Sequence, residues 1–363
     1  MKKVALILAG GLGAKFWPRS TEKKPKQYTH MIGEGTLLQN TFERLENYFE
    51  KEDIFVVTGY EHRIITREQL PNINEENIIY EPFGKNTAPA IALSSHYIKQ
   101  KNYSEDTIMF VFPSDHNISN LGEFYHSLDI AGGCAEYSDD IITIGIHPMR
   151  PETKFGYIQI KNGNPGVNPY YESGLKQCLT FAEKPDIGTA RRFIESGDFL
   201  WNSGIFVWKI STVMAAFRKY LTEINERFID LVPMFGKDSY VEYLRNIYRQ
   251  IPSISIDYGI LEKAENVRCV KSSFNWSDLG NWDELYRISM KDASNNVIKG
   301  DVISINNKNC FVMAQGKMIG IIGCDDLVVV DSDDAILICK KGETEDVQEM
   351  VDFLRRKHMN HLL

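Results

Sequence analysis

A glycine-rich loop with two nearby lysines is the first place in this sequence where chemistry could occur. The loop runs Ala9-Gly10-Gly11-Leu12-Gly13-Ala14-Lys15, and Lys26 follows within Pro25-Lys26-Gln27. Glycines let a ligand approach the backbone closely, and a concave row of N–H groups suits an anion, above all a phosphate. Because the lysines add positive charge, we interpret the loop as a holder of a nucleotide's phosphates.

Two familiar phosphate-binding loops are excluded by spacing. A P-loop requires G-x-x-x-x-G-K-[ST], but Gly13 is followed by Ala14-Lys15-Phe16. The dinucleotide fingerprint G-x-G-x-x-G would need a glycine at Phe16, and Pro18 argues against a helix that starts at once. An ordinary glycine-rich surface turn is the competing interpretation, and the loop by itself does not exclude it.

Two aspartates in distinctive turns are candidate ligands for a divalent cation. Asp115 lies in Pro113-Ser114-Asp115-His116 after an apolar run, and Asp278 lies in Trp276-Ser277-Asp278-Leu279-Gly280. Mg²⁺ typically takes one or two carboxylates and completes its shell with phosphates and water. Aspartate also stabilises turns without any ligand, so each residue alone is ambiguous. We interpret His116 and His147 as structural histidines.

The elements that must position these residues alternate between strands and helices. Apolar strand-like runs are predicted at 2–8, 54–58, 78–80, 107–112 and 141–146, with helices at 36–45, 61–70, 88–100 and 121–137 between them. This alternation predicts an α/β fold with a mostly parallel sheet covered by helices. Ligands bind such sheets beyond the carboxyl ends of the strands. Three motifs follow strand ends: 10–15, 81–87 and 113–116.

The pattern changes twice further along the chain. Residues 156–160 and 177–183 are predicted to be antiparallel strands, followed by a helix at 187–196, a strand at 200–208 and several helices between 212 and 249. After about residue 292, short β-rich runs recur between polar turns, and a helix is predicted at 345–358. We therefore expect a large domain over residues 1–290 and a small β-rich C-terminal domain over residues 291–363 that ends in a helix.

Composition narrows the class of protein. The chain has 363 residues and a formal net charge of −8 with no basic block, which argues against nucleic acid as a partner. Its six cysteines form no C-x-x-C pair, and no stretch reaches the ~18 apolar residues of a membrane helix. With no signal-peptide pattern, these features predict a cytoplasmic protein with free thiols and no membrane partner.

A set of motifs in a fixed order resembles one enzyme family. The motifs are Gly10–Pro18, Pro25-Lys26-Gln27, Glu81–Ala90, Pro113–His116, Phe181–Pro185, Leu200–Gly204, Ser255–Tyr258 and Trp276–Gly280. Together they resemble the mannose-1-phosphate guanylyltransferases of the sugar-nucleotidyltransferase superfamily. The resemblance covers roughly Val4 to Trp282.

The resemblance implies a fold and a reaction. The fold would be a Rossmann-like, GT-A-like nucleotidyltransferase domain with a small left-handed β-helix-like domain, often a dimerisation element, so a homodimer is expected. The reaction would convert GTP and α-D-mannose 1-phosphate to GDP-mannose and pyrophosphate by in-line, Mg²⁺-assisted displacement.

The resemblance also implies roles for individual residues. The catalytic residues would be Lys15, Lys26 and Asp115. The nucleotide would contact Leu8, Ala9, Gly10, Gly11, Gly13, Asn86, Thr87 and Ser114. The sugar phosphate would contact Gly156, Glu183, Lys184, Asn202 and Asp257. Asp115 and Asp278 would bind Mg²⁺.

Departures from the family pattern leave alternatives open. Lys15 stands where the family usually has arginine, which keeps the charge but loses the bidentate fork. Lys154 replaces a glycine before Phe155-Gly156-Tyr157, close to the expected sugar pocket. A nucleotidyltransferase for another sugar 1-phosphate or nucleoside triphosphate, and a non-catalytic regulatory subunit that senses GDP-mannose, therefore stay as alternatives.

Overall fold

The first part of the chain forms one large mixed sheet. A computed structural model describes residues 1–164 and 166–363. Strands up to residue 290 are β1 Lys3–Leu8, β2 Ile54–Gly59, β3 Ile78–Glu81, β4 Ile108–Pro113, β5 Asn117–Ser119, β6 Ile141–Ile146, β7 Gly156–Asn162, β8 Leu175–Glu183, β9 Phe199–Lys209, β10 Val267–Ser272 and β11 Asn275–Ser277. All but β5 and β11 join a nine-stranded sheet in the order β3-β2-β1-β4-β9-β6-β10-β8-β7.

The sheet is parallel where it carries the predicted motifs. β1 pairs in parallel with β2 and β4, and β2 pairs in parallel with β3. The buried, alternation-free sequences of these strands suit a position with helices on both faces. β9 runs antiparallel between β4 and β6, and β7 and β8 form the antiparallel pair predicted from their sequences. The predicted α/β class and parallel sheet are confirmed, with an antiparallel far edge.

Helices cover both faces of this sheet. Their bounds are α1 Leu37–Glu46, α2 Arg63–Gln69, α3 Thr87–Gln100, α4 Leu121–Tyr137, α5 Ile187–Ser196, α6 Ile210–Tyr220, α7 Thr222–Leu231, α8 Tyr240–Gln250 and α9 Trp282–Ile288. α1 starts with a capping box in which Thr36 and Gln39 each bond to the other's backbone. Separate apolar cores on the two faces of the sheet hold the strands between the helices.

The glycine loop after β1 does not enter a helix. It makes short 3₁₀ turns at Ala14–Phe16 and Lys26–Tyr28, and α1 begins only at Leu37. Gly13 takes a left-handed conformation with φ of 64°, which favours glycine. The expectation from Pro18 that no helix starts directly after the loop is therefore confirmed.

The C-terminal residues form a small stack of strands. These are β12 Val297–Lys299, β13 Val302–Ile305, β14 Phe311–Met313, β15 Ile319–Ile322, β16 Leu327–Asp331 and β17 Ile336–Lys340, followed by α10 Val347–Arg356. β12, β14 and β16 pair in parallel, as do β13 and β15, so successive turns of chain lie over one another.

The C-terminal stack packs directly against the glycine loop. Phe16 contacts Trp282 edge to face, and Trp282 packs on Phe311 of β14. The Trp17 indole donates a hydrogen bond to the carbonyl of Leu362 at 2.8 Å. One apolar cluster thus includes residues from both ends of the chain. The division of the chain at residue 290 stays a prediction.

Two further observations concern the chain as a whole. Among the described residues, no helix combines the length and apolar composition needed to cross a membrane. All six cysteines are free thiols.

Candidate active site

A cavity of about 450 Å³ opens at the carboxyl ends of β1, β3 and β4. We call it the loop cavity. Residues from the three motifs that follow strand ends line it, together with Leu8 and Asp257: Gly10, Gly11, Glu81, Asn86, Thr87, Ser114 and Asp115. Parallel neighbours end at the same edge, so three loops far apart in sequence converge here. The convergence predicted from the strand ends is confirmed.

Lys26 is the buried centre of the polar contacts beside this cavity. Only 7% of the residue is exposed. Its Nζ lies 2.8 Å from Asp115 Oδ2 and donates to the carbonyls of Asp278 at 3.0 Å and Leu279 at 2.9 Å. Leu279 takes a left-handed conformation with φ of 48°, which turns both carbonyls toward the lysine. Lys26 therefore joins the two candidate metal ligands, although Asp278 lies 252 residues further along the chain.

Gly13 allows Lys26 to reach this position. A Cβ atom placed on Gly13 would overlap the Lys26 side chain, so only glycine fits above it. The peptide N–H of Lys26 also bonds to the carbonyl of Leu12 at 3.4 Å. The glycine loop and the lysine are thus packed as one unit.

The two aspartates beside Lys26 differ in the direction of their pKa shifts. Burial raises the pKa of Asp115, but the charge of Lys26, together with hydrogen bonds to the carboxylate, outweighs burial and holds that pKa below its ordinary value. Burial raises the pKa of Asp278 to about 6, with Lys26 opposing and the charges of Glu284 and Asp115 adding to the rise. Within the described residues, no hydrogen bond reaches the Asp278 carboxylate.

This donor set fits a divalent cation bound jointly with a ligand. In the described part of the chain, no group of three or more His, Cys, Asp or Glu side chains could hold a metal by itself. One or two carboxylates are what Mg²⁺ uses when phosphates and water complete its shell. The Asp278 carboxylate, which is crowded by other acids and without a hydrogen bond, is a position that added positive charge would stabilise.

A second cavity of about 440 Å³ lies on the Asp278 side of Lys26. We call it the charged cavity, because its lining includes Arg150, Lys154, Asp278, Asp283, Glu284 and Glu345. Arg150 bonds to Glu284 at 3.0 Å, and Ser277 Oγ donates to Glu284 at 2.7 Å. Lys26 lies between the linings of the two cavities, because it contacts Asp115 of one and the Asp278 backbone of the other.

Lys15 lies outside the loop cavity. Its Nζ makes an ion pair of 2.6 Å with Glu345 of the C-terminal segment, and Lys154 pairs with the same carboxylate. The structure therefore brings Lys26, and not Lys15, into contact with the aspartates. A triphosphate-binding role for Lys15 stays a prediction.

Asn202 and Asp257 form a fixed polar pair on the other side of the loop cavity. Asn202 Nδ2 donates to Asp257 Oδ1 at 2.8 Å, and Thr143 Oγ1 donates to Asn202 Oδ1 at 3.0 Å. Burial and the nearby charge of Glu183 raise the pKa of Asp257 to about 6. A Cβ on Gly156 would overlap the Glu183 carboxylate, so that pair is also in tight contact. Lys184 is different, because 61% of its side chain is exposed.

The remaining predicted residues shape the loops around the cavity. Asn86 takes φ of 70° and caps α3, and Thr87 Oγ1 accepts a hydrogen bond from the Ile256 N–H at 2.8 Å. This bond ties the motif after β3 to the segment that carries Asp257. The Ser114 N–H donates to the Leu8 carbonyl, at 3.1 Å. Ala9 is buried, and its carbonyl accepts bonds from Gln27 and Thr58.

Sequence reasoning missed one buried acid of the loop cavity. Glu81 is 3% exposed, accepts a hydrogen bond from the Tyr248 hydroxyl at 3.0 Å and lies beneath Gly10. Burial raises its pKa to about 7. The glutamate at the end of an apolar strand was the available signal. His116 accepts a hydrogen bond from the Trp276 indole, and burial lowers its pKa to about 4, in agreement with a structural role.

Comparison with known proteins shows the family to which the chain belongs. The family model described as "Nucleotidyl transferase" matches residues 4–295. The chain belongs to the nucleotidyl transferase family. A second model, "MannoseP isomerase/GMP-like beta-helix domain", matches residues 300–354, the region of stacked strands.

Individual relatives cover nearly the whole chain. The Escherichia coli "Mannose-1-phosphate guanylyltransferase" is 34% identical over 97% of this chain and 74% of its own length. The alginate biosynthesis protein AlgA of Pseudomonas syringae pv. tomato is 36% identical over 99% of this chain and 74% of its own length. A crystal structure from Thermus thermophilus, named mannose-1-phosphate geranyltransferase, superposes with a TM-score of 0.87 at 30% identity, covering 98% of this chain and 100% of that one.

Proposed function

We propose that this member of the family transfers GMP from GTP to α-D-mannose 1-phosphate, giving GDP-mannose and pyrophosphate. The observation that carries the proposal is Lys26, which joins Asp115 to the Asp278 turn beside a glycine loop. The choice of guanine and mannose is supported by the names of the relatives that cover most of the chain.

The reaction needs positioning and charge neutralisation more than covalent help. An oxygen of the sugar phosphate attacks the α-phosphorus of GTP, and the bond from that phosphorus to the β-bridging oxygen breaks. The N–H groups of Gly10 and Gly11 would hold the phosphates, and Lys26 would neutralise charge at the transferred group. Asp115 and Asp278 would hold a Mg²⁺ ion, which when bound stabilises negative charge on the triphosphate.

The Asn202 side supplies groups suited to sugar hydroxyls. Asn202 and Asp257 are held against each other, and Glu183 lies close enough to affect Asp257 electrostatically. Fixed amide and carboxylate groups of this kind can accept and donate to several hydroxyls at once. We propose that Gly156, Glu183, Asn202 and Asp257 hold the mannose phosphate, with the exposed Lys184 at the rim.

A substrate panel tests the proposal. Pyrophosphate release is measured for each pairing of four nucleoside triphosphates with several hexose 1-phosphates, with Mg²⁺ and with a chelator. We expect GTP with mannose 1-phosphate to be fastest and the chelator to abolish turnover. A faster turnover with another pair would contradict the substrate assignment, and no turnover with any pair would favour the regulatory-subunit alternative.

We also propose a homodimer, a cytoplasmic location and a two-domain division near residue 290. Exposed apolar residues on the C-terminal stack support the dimer: Ile305 and Ile322 are cross-strand neighbours, 47% and 67% exposed. Large exposed apolar side chains in contact with one another are typical of an interface. Light scattering of the purified chain tests the dimer, with a monomer at micromolar concentration as the contradictory result.

A further inference from the structure

A single carboxylate of the C-terminal segment pairs with two lysines beside the loop cavity and the charged cavity. We call these two cavities together the cleft. Glu345 pairs with Lys15 of the glycine loop at 2.6 Å and with Lys154 of the loop before β7. Asn281, which caps α9 through its other amide atom, also donates to Glu345. Three segments that are far apart in sequence therefore converge on one side chain.

The turn that carries Glu345 is itself fixed in place. Thr344 is fully buried, and its hydroxyl donates to Asp283 Oδ2 at 2.6 Å. Asp283 also accepts the Gly342 N–H at 2.9 Å. Because hydrogen bonds to Asp283 fix the neighbouring residues, the turn that carries the Glu345 carboxylate has a defined conformation.

Lys15 and Lys154 have no other acidic partner among the described residues. Other cations lining the charged cavity are paired elsewhere, since Arg150 and Arg287 contact Glu284 and Lys341 contacts Asp326. Glu345 is about one-third exposed, so its ion pairs are within reach of a competing anion. The two lysines thus form an anion-binding position, and the Glu345 carboxylate of the same chain occupies it.

This position lies at the Asp278 end of the cleft. Lys154, Asp278 and Glu345 line the charged cavity together, and Lys26 contacts lining residues of both this cavity and the loop cavity. If the nucleoside and α-phosphate occupy the loop cavity, the outer phosphates extend toward Asp278 and the two lysines. A diphosphate carries more negative charge than one carboxylate and can contact both lysines.

We propose that Glu345 competes with the outer phosphates of the triphosphate for Lys15 and Lys154. The C-terminal segment then occupies the phosphate position until a ligand displaces the Glu345 carboxylate. We call this contact of Glu345 with Lys15 and Lys154 the latch. The inference rests on the proposed function for the identity of the ligand. It assigns to the C-terminal segment a direct effect on phosphate affinity.

Binding of inorganic pyrophosphate to the full chain tests the latch. Calorimetry without added divalent cation compares the natural protein with Glu345→Gln and with Glu343→Gln. Glu343 is exposed, has the same charge and makes no ion pair within the described residues, so it is the matched control. Half-exposed ion pairs are weak, so we expect Glu345→Gln to bind pyrophosphate roughly three- to tenfold more tightly, and Glu343→Gln to bind as the natural protein does.

Further variants separate competition from a loss of structure. Adding Lys15→Gln to Glu345→Gln should remove the gain, and high salt should shrink the difference between Glu345→Gln and the natural protein. Glu345→Asp, which keeps the charge but shortens the reach, should give a smaller gain and serves if Glu345→Gln does not fold. Affinity that is unchanged or weaker in Glu345→Gln and in Glu345→Asp would overturn the latch.

The same experiment is independent of the guanylyl-transfer assignment. Pyrophosphate binding is read without turnover, so a chain that transfers GMP but gains no affinity in Glu345→Gln refutes the latch alone. A chain that gains affinity but turns over no substrate pair refutes the proposed function alone.

Discussion

The two cavities on either side of Lys26 are built in different ways. The loop cavity is lined mainly by backbone and small side chains from turns that directly follow parallel strands, such as Gly10, Gly11 and Ser114. The charged cavity is lined by long ionisable side chains from segments as distant as Arg150 and Glu345. From this difference we expect the shape of the loop cavity to select its ligand, and the balance of charges to do so in the charged cavity.

The largest effect is expected at Asp278, whose carboxylate accepts no hydrogen bond among the described residues and is proposed to bind a cation. Asp278→Asn should lower turnover by orders of magnitude, because it removes charge at the proposed cation site. Thermal stability measured in a chelator at neutral pH should be equal or higher, since a crowded carboxylate whose pKa is raised to about 6 is removed.

The matched control for Asp278 is Asp283, which lines the same cavity. Its carboxylate accepts hydrogen bonds from Gly342 and Thr344, so Asp283→Asn should lower the melting temperature and retain most activity. Near-normal turnover in Asp278→Asn would show that the charged cavity takes no part in the reaction.

Gly13 tests whether the loop cavity depends on backbone shape. Gly13→Ala places a Cβ into the Lys26 side chain at a left-handed φ, so we expect a turnover loss of about 100-fold and a destabilisation of roughly 1–3 kcal/mol. Gly11→Ala meets nothing within 4 Å and should leave the melting temperature unchanged. Equal melting temperatures for the two variants would contradict this packing.

A substitution at Asn202 tests whether separate residues bind the nucleotide and the sugar phosphate. Asn202→Ala removes the partner of Asp257 and should raise the KM for the sugar phosphate about tenfold, with the KM for GTP changed much less. Steady-state kinetics with each substrate varied in turn makes the measurement. A larger effect on GTP would place Asn202 on the nucleotide side.

Glu81 gives the smallest expected effect on turnover, and its effect is on stability. Its pKa rises from an ordinary value of 4.5 to about 7, so ionisation is disfavoured in the folded protein. The folded state should lose up to about 3 kcal/mol between pH 4.5 and pH 7 through this group. Glu81→Gln should therefore stabilise the protein relative to the natural one at pH 8 and not at pH 4.5, as measured by denaturant unfolding. A constant difference across pH would exclude the buried titration.

The sequence predicts the loop cavity better than the charged cavity for a physical reason. Strands β1, β3 and β4 are predicted by their apolar runs. Because parallel strands end at the same edge of a sheet, the turns that follow them are then expected at one edge. Asp115 and Asn86 could be located in this way from the sequence alone. Gly13 illustrates the limit, because its left-handed turn is predictable while its contact with Lys26 is not.

The rest of the site depends on tertiary packing that leaves no local signal. Glu345 was predicted only as the start of a helix, and its contact with Lys15 spans 330 residues. The same packing holds the Lys15 side chain against Glu345 and outside the lining of the loop cavity, and its phosphate contact stays a prediction. Charged side chains on exposed turns carry no periodicity that would indicate their partners.

A crystal structure with Mg²⁺ and a GTP analogue that cannot be cleaved between its α- and β-phosphates tests the central claim most directly. The account predicts the α-phosphate beside Lys26, between the Gly10–Gly13 loop and Asp115, with the nucleoside against Asn86 and Ser114. A triphosphate bound away from Lys26 would contradict it.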